Sequence, residues 1–86
     1  MITVANGQSE YIPLRSDKTK IFVYYADGAS GTLVPQSSIN EGEPIPEALP
    51  NGDTEITDSI SFTILGGGQF SVDASGVSGT ITIGTD

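Results

Sequence analysis

Asn51, Asp53 and Glu55 alternate along the stretch NGDTE, and any chemistry in this chain would start there. Successive strand side chains point to opposite faces, so Asp53 and Glu55 would share one face as a carboxylate pair. Such a pair is the minimum for acid–base hydrolysis. With Asn51 added, the three offer only oxygen ligands, the kind that calcium takes. Two facts weigh against both ideas. A chain of 86 residues has little material to enclose a cleft, and Asn and Asp at these spacings commonly cap turns. No helices flank the stretch as an EF-hand requires. The chain also has no cysteine and no histidine. It therefore lacks a thiolate nucleophile, a disulfide, the usual zinc ligands, and the side chain best suited to proton transfer near neutral pH. The triple glycine at 66–68 is followed by neither a lysine nor a helix, so it is not a phosphate loop. The composition points to a protein that is not an enzyme and carries no cofactor, with a calcium ion near Asn51–Glu55 left open.

Charge narrows the partners. The formal net charge is −8, and all the basic residues, Arg15, Lys18 and Lys20, fall within six positions. Nucleic-acid binding needs several phosphate contacts from a basic surface, so it is not expected. The basic cluster is either a solvated strand edge or a patch that meets acidic groups on a second copy or a partner. No apolar run approaches the ~20 residues of a membrane span, and MITVANGQSE has no basic segment leading into an apolar one. The expectation is a soluble product made in the cytoplasm, with no membrane partner.

The elements that must position these groups are strands. Ile2–Ala5 is a short apolar stretch ending at an Asn6-Gly7 turn. Glu10–Arg15 alternates imperfectly around Pro13, which suits an edge strand or a bulge. Residues 19–26 (TKIFVYYA) are apolar on both faces, the pattern of a central strand. Tyr24 and Tyr25 point to opposite faces, while Phe22, Phe62 and Phe70 read as core. A turn at Asp27–Gly31 leads into Thr32–Gln36. Glu55–Leu65 is the longest candidate strand: Ile56, Ile60, Phe62 and Ile64 share one parity, and Asp58 is the exception. Nineteen serines and threonines fit solvent-facing strand positions. Six or seven strands in a single domain, residues 1–86, predict an all-β fold, a small antiparallel β-sandwich or barrel. Its core would contain Ile21, Val23, Ile60, Phe62, Ile64, Phe70, Val72, Ile81 and Ile83. The core is thin for a domain with no staples, so oligomerisation or docking on something larger is the expected support.

The last stretch, GQFSVDASGVSGTITIG, predicts a closing β-hairpin. Phe70 would face Ile83 and Val72 would face Ile81, because a one-residue slip would set Phe70 against Thr82. YYADGASGTLVPQ echoes it, through either an internal duplication or one turn chemistry used twice.

Residues 37–53 break the pattern. They hold Pro44, Pro46 and Pro50 together with Glu41, Glu43, Glu47 and Asp53. They read as a long Pro-rich acidic loop in which Ile39, Ile45 and Leu49 are unusually apolar. Either these residues fold back as a lid on the sandwich, or the segment is an extended arm lying on a neighbour. In the second case Ile39, Ile45 and Leu49 join Arg15, Lys18 and Lys20 as candidate interface residues.

A short, cysteine-free, Gly/Ser/Thr-rich chain with ADGASGTLVPQ and GQFSVDASGVSGTITIG resembles the small β-sandwich decoration and accessory proteins of tailed bacteriophages. The likeness covers roughly residues 21–84 in style. It implies a virion structural protein without an active site, seated on the major capsid protein and oligomeric, a trimer in the best-known cases. Only about nine residues precede the second strand here, so attachment through the long N-terminal arm of those trimers is not the expectation. The alternative is a tail or fibre accessory domain that binds a host surface or a carbohydrate.

Overall fold

The computed structural model describes residues 1–86 and is all-β, with no helix. Nine strand segments are present: β1 (Ile2–Thr3), β2 (Gly7–Gln8), β3 (Ile12–Pro13), β4 (Lys18–Tyr25), β5 (Ser30–Ser38), β6 (Ile45–Pro46), β7 (Ile60–Leu65), β8 (Gln69–Ser78) and β9 (Ile81–Thr85). They form two antiparallel sheets. One has the order β1-β9-β4-β7, and the other has the order β2-β8-β5-β6 with β3 also on β8. The count exceeds six or seven because four segments are two residues long. β2 and β3 are in effect one edge strand along β8. Paired positions sum to 81 at Gly7–Ala74 but to 82 at Ile12–Phe70, so one extra residue bulges out between them, as the irregular pattern around Pro13 predicted.

Alternation on the long strands builds the core. β4 is buried at every second position, Thr19, Ile21, Val23 and Tyr25. Ile81 and Ile83 of β9 join it from the same sheet, and Leu33, Phe70, Val72 and Ala74 join from the other. Phe62 meets Phe70 edge-on across the gap, with ring centroids 5.7 Å apart. Ile21, Leu33, Val72, Ile81 and Ile83 are fully buried, each contributing about 1.5–3 kcal/mol of apolar transfer. Seven of the expected core residues are buried, while Ile60 and Ile64 are half-buried at its margin.

The closing hairpin does not form. β8 pairs with β2, β3 and β5, while β9 pairs with β1 and β4, so residues 78–81 cross from one sheet to the other. Phe70 and Val72 still share a core with Ile81 and Ile83, but face to face rather than side by side. The Asp27–Ala29 turn makes the same crossing between β4 and β5. The two crossings lie against each other: Ser30 pairs with Ser78, and the echo of Ser-Gly in both stretches is a packing feature.

Glu55–Leu65 is likewise divided at Asp58, the exception to its parity. Ile56 exchanges both backbone hydrogen bonds with Leu33 of β5, at 2.9 and 2.8 Å, whereas β7 begins at Ile60 in the other sheet. The Asp58 carboxylate accepts a bond from the Ser59 amide at the bend, and Ser59 Oγ accepts one from the Tyr25 amide.

Candidate interaction surface

Two of the residues raised for acid–base or metal chemistry, Asn51 and Asp53, bond each other in a turn, while Glu55 stays exposed beyond it. Asn51 Oδ1 accepts from the Asp53 amide at 2.9 Å, and Asn51 Nδ2 donates to Asp53 Oδ2 at 3.1 Å. This is Asx-type turn capping. No three carboxylates of the chain converge on a common point.

The acidic loop is not a free arm. β5 runs on to Ser38, and the chain turns at Asn40 and Glu41, both with positive φ, before returning as β6 against Ser37 and Gln36. The Glu47 amide then donates to the Pro35 carbonyl. Leu49, read as an interface residue, is buried in the core of this chain, held where its amide bonds the Asp53 carbonyl at 2.7 Å. The proline spacing that rules out a long strand permits this short return. Ile39 and Ile45 remain 78% and 62% exposed on that rim.

Tyr11 helps to hold the turn. It leaves the bulge beside β8 and its hydroxyl donates to the Gly42 carbonyl beyond β5, at 3.3 Å. Ser38 Oγ donates to the same oxygen at 2.7 Å. Gln36 and Ser71, facing neighbours on β5 and β8, are buried on this outer side, where Ser71 Oγ donates to Gln36 Oε1.

The basic residues separate by role. Arg15 Nη2 donates to Asp86 Oδ1 at 2.8 Å, and the Lys20 amide donates to the same oxygen. The guanidinium beside it, then the amide, hold the Asp86 carboxyl below the ordinary carboxylate value. Lys18 and Lys20 stand on the outer face of the four-stranded sheet, in phase with Phe22 and Tyr24. Lys18 and Lys20 thus belong to the four-stranded sheet, whereas Ile39 and Ile45 follow or form strands of the other.

That outer face is the most unusual surface of the molecule. Phe22, expected in the core, is 42% exposed, and Tyr24 is 59% exposed. Lys20 Nζ sits 5.4 Å from the Phe22 ring centroid, a cation–π distance. Across the strand Phe22 has Gly84 on one side and Ser61 on the other, and Tyr24 has Thr82. These small neighbours leave the rings exposed on a face that also bears hydroxyls. Leu65, opposite Lys18 on β7, is 79% exposed. The placement of β4 as a central strand holds, but a strand apolar on both faces need not be covered on both. The available signal was parity: Phe22 and Tyr24 fall in step with Lys18 and Lys20.

Between the open margins of the two sheets runs a groove of about 470 Å³, floored by Leu14, Pro35, Leu49, Phe62, Ile64 and Phe70. Its walls are β7 on one side and the 36–39 and 47–50 backbone on the other.

No family model, curated protein or solved structure matches the chain. Its fold and surface are what define it: an all-β protein of two antiparallel sheets with one aromatic, basic outer face.

Proposed function

We propose that this chain is a non-enzymatic structural module, a β-sandwich that docks onto a larger assembly through the outer face of its four-stranded sheet. The observation that carries the reading is the exposed row Lys18, Lys20, Phe22 and Tyr24 on a chain of net charge −8. Half-exposed aromatic rings cost hydration and are enriched where proteins meet. Lysines beside them steer the face toward acidic surfaces. The sequence likeness to phage decoration proteins makes a virion shell the assembly to test, with the major capsid protein as partner and the virion as location. Co-sedimentation with empty phage shells is the experiment. Binding that disappears in the Phe22→Ser, Tyr24→Ser double variant supports the reading. A native chain that stays in the supernatant at every salt concentration counts against it.

One observation favours a second reading, a tail or fibre accessory domain that holds a carbohydrate. Phe22 and Tyr24 stand two residues apart on one exposed face with Ser61 and Thr82 opposite them, rings beside hydroxyls of the kind that sugars stack on and bond. Quenching or shift of the Tyr24 fluorescence on titration with oligosaccharides, absent in Tyr24→Ser, would separate it from shell docking.

A further inference from the structure

The sheet edges differ sharply in how they are protected. β1, β2 and β6 are two residues long, and prolines interrupt β3 and β6. Short strands and prolines are ordinary ways to blunt an edge against pairing. β7 has neither. It is six residues, ISFTIL, paired with β4 on one side and with no strand on the other.

The direction of its free groups follows from the ladder. Lys18 faces Leu65, and the next position along bonds the Gly66 amide to the Asp17 carbonyl at 2.9 Å. In an antiparallel ladder bonded and non-bonded positions alternate. Ile60, Phe62 and Ile64 therefore turn their backbone groups toward β4. Ser61, Thr63 and Leu65 turn theirs to the open side, along the wall of the apolar groove.

We propose that β7 is a pairing edge whose occupant is β7 of a second copy, joined antiparallel about a two-fold axis through Thr63. The sequence of the strand is complementary to itself in this register. Thr63 faces Thr63, and Ser61 faces Leu65, all three bearing outward backbone groups. Phe62 faces Ile64 on the inner side, so each copy adds an aromatic and an aliphatic side chain to the other's groove. On the outer side, Leu65 lies over Ser61 of the second copy, whose small side chain leaves room toward Phe22.

Charge does not oppose a second copy at this edge. Residues 59–72 carry no charge, whereas Glu41, Glu43, Glu47, Asp53, Glu55 and Asp58 line the preceding segment. Lys18 and Lys20, one strand in from β7, offset the negative field on this side. Two copies of a −8 chain would meet here on an uncharged strand, with Glu47 the one carboxylate of the groove lining, and added salt screens the repulsion.

Sedimentation velocity from micromolar to millimolar chain, at low and high salt, reads the association. The expected result is a monomer–dimer equilibrium that tightens with salt and is lost in Thr63→Lys, whose side chain is exposed and whose strand circular dichroism stays native. Cysteine cross-linking then fixes the register, because the chain has no cysteine of its own. Facing bonded residues sit about 5.5 Å apart at Cα, within reach of a disulfide. Thr63→Cys should cross-link on oxidation, whereas Ser61→Cys should not, its counterpart lying about 13 Å along the strand. A chain monomeric at all these concentrations overturns the proposal. So does a dimer that survives Thr63→Lys, which would move the contact to the Phe22–Tyr24 face. Equal cross-linking of the two cysteine variants overturns it as well.

Discussion

The α-carbon of Val77 lies 2.9 Å from where a β-carbon on Gly31 would stand, and the α-carbon of Ala29 lies 2.9 Å from where one on Gly79 would stand. Each glycine thus lets one sheet-to-sheet crossing close on the other. Both also have φ values, 141° and 78°, that L-residues rarely adopt.

Gly31→Ala and Gly79→Ala are each expected to cost about 2–4 kcal/mol, combining strained φ with backbone overlap. Gly76→Ala is the control: its φ is also positive, at 68°, but open space surrounds the new methyl. It should cost about 1–2 kcal/mol. Urea unfolding midpoints compare the three, and equal costs would remove the packing argument.

The Tyr25 hydroxyl donates to the Gly31 carbonyl at 2.9 Å and lies 3.1 Å from the Ile56 carbonyl, beside the same crossing. Burial, and then the Asp58 carboxylate, raise its pKa above the ordinary 10.0. The unfolded chain thus loses this proton first as pH rises. The group's contribution is complete below pH 10.0 and is lost as pH climbs toward the raised value. Tyr25→Phe should cost about 1–2 kcal/mol at neutral pH by leaving the Gly31 carbonyl without its donor. It should also flatten the alkaline limb of the stability–pH curve. Alkaline limbs of equal slope would show that Tyr25 does not titrate in this way.

Asp86 supplies the opposite sign. Its pKa is lowered, first by the bond from Arg15 and then by the Lys20 amide, so its contribution is present above the ordinary 3.8 and is lost as pH falls below that value. Asp86→Asn should reduce the acid loss of stability, and moderate salt should reduce it in the native chain, because the pair is exposed. Superimposable acid limbs for the two chains, measured by denaturant midpoint, would leave the pair without weight.

Leu49 separates lid from arm. Leu49→Ala should cost about 2–4 kcal/mol, as for a buried leucine elsewhere, whereas Ile39→Ala and Ile45→Ala should each change stability by less than about 1 kcal/mol. Thermal unfolding of the three variants is sufficient. A deletion of residues 41–49 would remove core as well as surface, so its effect on any assembly would have to be read against the stability lost.

The residue pattern alone determined the all-β class, the faces of the strands and most of the core. Alternation at Ile21–Val23, Phe70–Val72 and Ile81–Ile83 is a local property, set by side chains pointing to opposite sides of a pleat. Pro13 announced an edge for an equally local reason, whereas Asp58, an exception to parity, divides a stretch that reads as one strand from Glu55 to Leu65. Which strand pairs with which is not local. Among the long strands no two consecutive ones are neighbours: β4 pairs with β7 and β9, and β5 pairs with β8. A crossing and a hairpin bury the same alternating residues, so periodicity could not tell Phe70 beside Ile83 from Phe70 opposite it. The same limit hid the outer face. Phe22 and Tyr24 are as apolar as core residues, and only the absence of a covering layer over the four-stranded sheet leaves them exposed. For Leu49 the reverse held: the pairing of β6 with β5 and the bond from Glu47 to Pro35 fold a proline-rich acidic stretch back far enough to bury it.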